Sequence, residues 1–91
     1  MQMLVRNRVR DFSQWYVYFN ADRAAAAEYG LTLAALWQVA DDPNSVFFIL
    51  NVEDIERANA FIARPESQEI GDKSGVIDGE IHYLEPLVPE A

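Results

Sequence analysis

Cysteine is absent from the chain, which removes disulfides, thiolate nucleophiles and thiolate metal sites together. That composition suits a reducing compartment, and a cytoplasmic location is the expectation. Basic residues are scarce: seven Lys and Arg stand against fifteen Asp and Glu, for a net charge of −8. A surface of that sign repels phosphate backbones, so no nucleic acid is expected as a partner. Long apolar runs are missing too. None approaches the ~18 residues of a membrane span, and the opening MQMLVRNRVR lacks the apolar centre of a signal peptide, so no membrane is expected as a partner. Histidine occurs once, at His82. One histidine without cysteine does not make a zinc site, and there is no glycine-rich phosphate loop. The residues call for no metal and no cofactor.

What is present is apolar surface. Hydrophobic residues make up 51% of the 91 positions, too many for a disordered chain, and the length fits one compact domain with a thin stability margin. Alternation over Gln2 to Val9 predicts a strand. Asp11 is placed to cap a helix that runs to about Tyr29 and stops at Gly30. Leu31 to Ala40 and Ser45 to Val52 read as strands joined by a turn at Asp41-Asp42-Pro43-Asn44. Glu53 to Ala63 has helical spacing, with Ile55, Ala58, Phe61 and Ile62 on one side. Pro65 restarts a short helix that ends near Lys73 before Gly75, and Val76 to Leu84 is a fourth strand. The order β-α-β-β-α-β predicts an α+β, ferredoxin-like domain over residues 1–85. It has a four-stranded antiparallel sheet with its helices on one face, and residues 86–91 form a tail carrying Pro86 and Pro89.

The central hairpin raises a packing problem. With Ala40 opposite Ser45, Trp37 pairs with Phe48 and period two sorts the side chains. Leu33, Ala35, Trp37, Val39, Val46, Phe48, Leu50 and Val52 then lie under the helices. The other face keeps an apolar centre of Leu36, Phe47 and Ile49, which no element of the chain is left to cover. A second copy of the chain packed face to face would bury it, so those three residues are the expected dimer interface.

Helix 1 brings Phe12, Trp15, Tyr16, Phe19, Arg23 and Ala26 to one side. Such a stripe is either core or the wall of a pocket for a flat ligand; in the second case Trp15, Phe19 and Trp37 line it. Asp22 lies seven residues after Trp15, nearly two turns, and points the same way. If it is partly buried, loss of hydration favours the protonated form, which suits a general base near neutrality. Asp22 is therefore the candidate catalytic group, with Arg23 close enough to oppose that shift. His82 is expected on the sheet face away from the helices. Arg6, Arg8 and Arg10 sit within five positions and read either as a solvated strand start or as an anion contact.

The stretches "DFSQWYVYF" before "EYG", "ADDPNSVFFILNVEDIERANAF", "ARPESQEIGDKSGV" and "EIHYLE" resemble the dimeric α+β barrel superfamily. Within it they look like small proteins related to antibiotic-biosynthesis monooxygenases or to cyclases. The likeness runs from about Val9 to Glu85 and contains no catalytic motif. It implies a homodimer whose sheets form a barrel, with a pocket between each sheet and its helices. Relatives include enzymes that oxidise aromatic polyketides without metal or flavin, haem binders and lactone isomerases. The resemblance thus implies a cofactor-independent monooxygenase or cyclase for a small hydrophobic or aromatic compound. The alternatives are a non-catalytic ligand-binding or accessory dimer, and a haem-binding relative. The chain departs from those relatives where Asp22 stands for a histidine, Ala26 for an arginine, and Gln38 and Asn51 for arginine and glutamate. Chemistry that depends on that histidine does not carry over.

Overall fold

A computed structural model describes residues 1–88; Pro89 and the rest of the expected tail lie outside the described residues. The elements are β1 (Gln2–Val9), α1 (Phe12–Glu28), β2 (Leu31–Val39), β3 (Asp42–Val52), α2 (Ile55–Ile62), α3 (Pro65–Ser74) and β4 (Val76–Leu84). The strands form one antiparallel sheet in the order β2-β3-β1-β4. This is the ferredoxin-like arrangement, with the second helical segment divided at Arg64-Pro65.

Local chemistry sets the helix boundaries. The Asp11 carboxylate accepts from the backbone N–H of Gln14 at 2.9 Å, which satisfies a donor with no partner in the first turn. At the other end Gly30 takes φ 78°, a conformation that costs glycine nothing, and Glu53 packs against its Cα. Asp54 caps α2 in the same way. Pro65 opens α3, where its missing N–H is not needed.

The hydrophobic core lies between the sheet and the helices. Met3, Val5 and Val9 of β1 and Val46, Phe48 and Val52 of β3 are buried there with Leu31, Trp15, Ala26 and Ala58. Among the described residues no buried side-chain nitrogen or oxygen lacks a hydrogen-bond partner.

The hairpin departs from simple alternation in two places. The turn is Ala40-Asp41, closed by Val39 opposite Asp42, not the four residues Asp41 to Asn44. Pro43, Asn44 and Ser45 instead form an irregular stretch of β3 that grips the start of α1. Asn44 Oδ1 accepts from the Phe12 N–H at 2.9 Å, and its Nδ2 donates to the Arg10 carbonyl at 3.3 Å. The second departure is a bulge in β2. Leu33 pairs with Leu50 but Ala35 pairs with Ile49, which leaves Ala34 as the extra residue.

That extra residue exchanges the faces of everything after it in β2. Trp37 pairs with Phe47, not with Phe48. It lies on the open face and is 52% exposed, whereas Leu36 pairs with Phe48 and packs against the core. The expected positions of Leu36 and Trp37 are thus exchanged. Phe47 and Ile49 stay on the open face as expected, joined there by Leu4.

Candidate functional site

Of the side chains expected on one side of α1, Phe12, Trp15, Phe19 and Ala26 pack into or against the core, whereas Tyr16 and Arg23 are exposed. Trp15 is 3% exposed and stacks on Phe19 with ring centroids 4.6 Å apart. Phe19 meets Phe48 edge-on at 4.9 Å, and Trp15 meets it at 5.9 Å. The three rings form one continuous aromatic wall.

Beyond this wall lies a cavity of about 600 Å³ bounded by α1, the inner sheet face and the α2–α3 corner, within the size range of small-molecule pockets. Met3, Val5, Leu33 and Leu50 give it an apolar floor, and Trp15, Phe19 and Phe48 border it. Polar residues bordering it are Asn7, Asn20, Asp22, Arg23, Ser67 and Ser74; Thr32 also borders it, but its side chain is on the open sheet face beside Asn51. Asn20 and Arg23 are exposed, so this side opens to the surface.

Asp22 borders the cavity and keeps 21% of its side-chain surface. Its partner is Arg64, whose Nη2 donates to Oδ2 at 3.0 Å. Arg23, the neighbour expected to pair with it, donates instead to Asn20 Oδ1 at 3.3 Å. Arg64 is the centre of a small knot. Its guanidinium lies 3.9 Å from the centroid of the Phe61 ring, and its Nε donates to the Phe61 carbonyl and to Ser67 Oγ. Among the described residues Asp22 Oδ1 has no hydrogen-bond partner, so the carboxylate keeps an oxygen free to accept.

Of the three expected ligand contacts, the structure brings Trp15 and Phe19 together on the cavity and leaves Trp37 on the other side of the sheet. Arg64 was not singled out from the sequence. It is 42 residues from Asp22, and no local spacing signals the pair.

His82 lies on the open face as expected, opposite Leu4, with Nε2 2.9 Å from Glu80 Oε2. The cavity therefore contains no histidine. Among the described residues no group of three or more His, Asp or Glu side chains could hold a metal ion. Of the three arginines read as an anion contact, Arg6 and Arg8 are engaged with Asp78 and Glu80 on β4, and Arg10 lies against Gly75. Hydrogen bonds from His82 and then Arg6 hold the Glu80 carboxyl below the usual carboxylate range, and the Glu80 bond holds Arg6 above its ordinary value. Tyr83 donates to Asn59 Oδ1 at 2.6 Å, and burial pushes its hydroxyl pKa up. None of the described helices is long and apolar enough to cross a membrane.

No family model matches the chain, and no curated protein is similar to it in sequence. Solved structures are similar. A Bordetella bronchiseptica protein named as an antibiotic biosynthesis monooxygenase aligns over 96% of this chain and 96% of its own, with a TM-score of 0.77 at 13% identity. One of the same name from Bacteroides thetaiotaomicron covers 100% of this chain and 92% of its own, with a TM-score of 0.74 at 18% identity. SnoaB of Streptomyces nogalater, a cofactor-independent oxygenase, covers 97% and 95%, with a TM-score of 0.73 at 16% identity. The chain has the fold of these antibiotic biosynthesis monooxygenase structures.

Proposed function

We propose that this protein is a cofactor-independent monooxygenase acting on a small aromatic compound in the cavity between sheet and helices. One observation carries the reading: a cavity of about 600 Å³ bordered by the mutually packed rings of Trp15, Phe19 and Phe48, with Asp22 at its margin. The similarity in fold to SnoaB adds the reaction type by analogy, since a fold hosts many chemistries.

In such a reaction the substrate supplies the electrons. An electron-rich hydroxyaromatic ring, ionised at its hydroxyl, gives up four electrons to O₂: the hydroxyl's proton and one ring hydrogen leave in the water formed with one oxygen atom, the other oxygen becomes a carbonyl on the ring carbon that lost its hydrogen, and the product is the quinone. The protein's part is to hold the ring flat against the aromatic wall, keep bulk water off its inner face, and orient the hydroxyl. Asp22 is the acceptor for that hydroxyl through Oδ1, with Arg64 fixing the carboxylate from the other side. Trp37 has no part in this pocket. The open sheet face, with Trp37, Phe47 and Ile49, is assigned to a second copy of the chain.

Oxygen uptake with a panel of hydroxylated naphthalenes, without added metal or flavin, tests the proposal. The expected result is uptake above the protein-free rate, with one heavy-oxygen atom from labelled O₂ in the product and at least tenfold less turnover in Asp22→Asn. Panel members that bind in the cavity but consume no oxygen would support a non-catalytic binder instead. The engagement of Asp22 by Arg64 is the feature that favours this second reading.

A further inference from the structure

Among the residues that border the cavity only two carry charge, Asp22 and Arg23, and their situations differ. Asp22 is compensated by Arg64 at 3.0 Å. Arg23 is bonded only to the neutral Asn20 and faces no carboxylate within ion-pair distance among the described residues.

The other cations are engaged elsewhere. Arg6 and Arg8 pair with β4 carboxylates, and Lys73 pairs with Glu69. Arg57, which donates to the Glu28 carbonyl, and Arg10, which lies over Gly75, meet no carboxylate within ion-pair distance among the described residues, but neither borders the cavity. On a chain of net charge −8, the mouth of this cavity is thus a local positive site: one compensated pair and one uncompensated guanidinium.

The remaining polar groups there favour the same sign. Asn20 and Arg23 are three residues apart on α1, so they share a face. Asn20 uses its Oδ1 on Arg23, which leaves its amide N–H groups as donors.

We infer that the cavity selects ligands that join a flat apolar body to one anionic oxygen group, a carboxylate or a phenolate, and that Arg23 is the residue that reads that group. The inference rests on the cavity being the ligand site. The body lies against Trp15 and Phe19, and the anion stays at the mouth, where the guanidinium fork matches a carboxylate in shape as well as charge. Steering adds to this: the chain repels anions overall, so the local cation decides which of them enter.

The test compares 2-naphthoate with its neutral counterpart 2-naphthamide. Nitrogen–proton NMR follows the two indole resonances, assigned through Trp37→Phe. A ligand in the cavity moves the Trp15 signal, and one on the open sheet face moves that of Trp37. Naphthoate is expected to bind about tenfold more tightly than naphthamide. That advantage should shrink as salt rises. It should be lost in Arg23→Gln and partly kept in Arg23→Lys, while naphthamide binds all three proteins alike. Equal affinities in the unmodified protein, or an Arg23→Gln change that weakens both ligands together, would overturn the role of Arg23 while leaving the cavity as the ligand site. If neither ligand moves the Trp15 resonance, the cavity reading fails and this inference fails with it.

Discussion

Arg64 ties the α2–α3 corner to α1. α2 has one fully buried residue, Ala58; Phe61 packs against the core and Tyr29, and polar links run from Tyr83 to Asn59 and from Arg64 to Asp22. The Arg64 side chain is 14% exposed and stacks on Phe61, so its removal loses packing and leaves the Asp22 carboxylate half-buried without its partner. Breaking a buried pair from one side costs far more than the pair contributes. Arg64→Ala should therefore destabilise the fold by about 2 kcal/mol. Asp22→Asn should cost about 1 kcal/mol, since the amide oxygen still accepts from Arg64. Urea unfolding of the two variants checks the asymmetry; equal losses would mean that Arg64 matters through the ion pair alone. The sequence showed that Asp22 was on the inner side of α1, because seven residues are two helical turns. It could not show the partner, because side chains 42 residues apart meet only through the tertiary fold.

At the scale of elements, most of the architecture was legible. Capping at Asp11, termination at Gly30, the restart at Pro65 and the alternation of the strands are local effects, and each expected element is present. The faces of β2 were not legible, because one bulged residue is invisible to a period-two reading. Asp41-Asp42-Pro43-Asn44 misled for a related reason. Its side chains have turn chemistry, but Asn44 uses it to hold the start of α1, and the chain reverses two residues earlier. The bulge yields a prediction that an unbroken strand would not. Removing one residue from a regularly alternating strand sends every later side chain to the opposite face. Removing Ala34 takes away the unpaired residue and leaves Leu33, Ala35 and Leu36 opposite Leu50, Ile49 and Phe48 as they are now. The deletion should give a cooperatively folding protein with a loss below about 2 kcal/mol, measured by thermal melting. Loss of the cooperative transition would show that β2 has no such bulge.

At the scale of the whole molecule, the open sheet face is the feature left without a function inside one chain. Its rungs are now defined. One runs Trp37, Phe47, Arg6, Glu80, and the next runs Ala35, Ile49, Leu4, His82. The apolar part lies over β2, β3 and the middle of β1, and it is bordered on β4 by Asp78 and Glu80, which pair with Arg6 and Arg8, and by His82, which is bonded to Glu80. Trp37, displaced from the cavity by the bulge, enlarges this patch, so the same irregularity that removes it from the pocket strengthens the case for a partner surface. A second copy of the chain is the occupant the two-fold logic of face-to-face sheets favours. Light scattering at micromolar concentration should give about twice the chain mass of 10.3 kDa. Two substitutions of the same kind separate the faces. Phe47→Asp places a charge in the apolar contact and should weaken the dimer roughly a hundredfold or more while each chain stays folded. Leu36→Asp places the same charge beneath the helices, against Phe48, and should destabilise the chain itself by about 3 kcal/mol or more. A monomer at every concentration would remove the second copy from the open face. A folded, monomeric Leu36→Asp beside an unfolded Phe47→Asp would reverse the two faces.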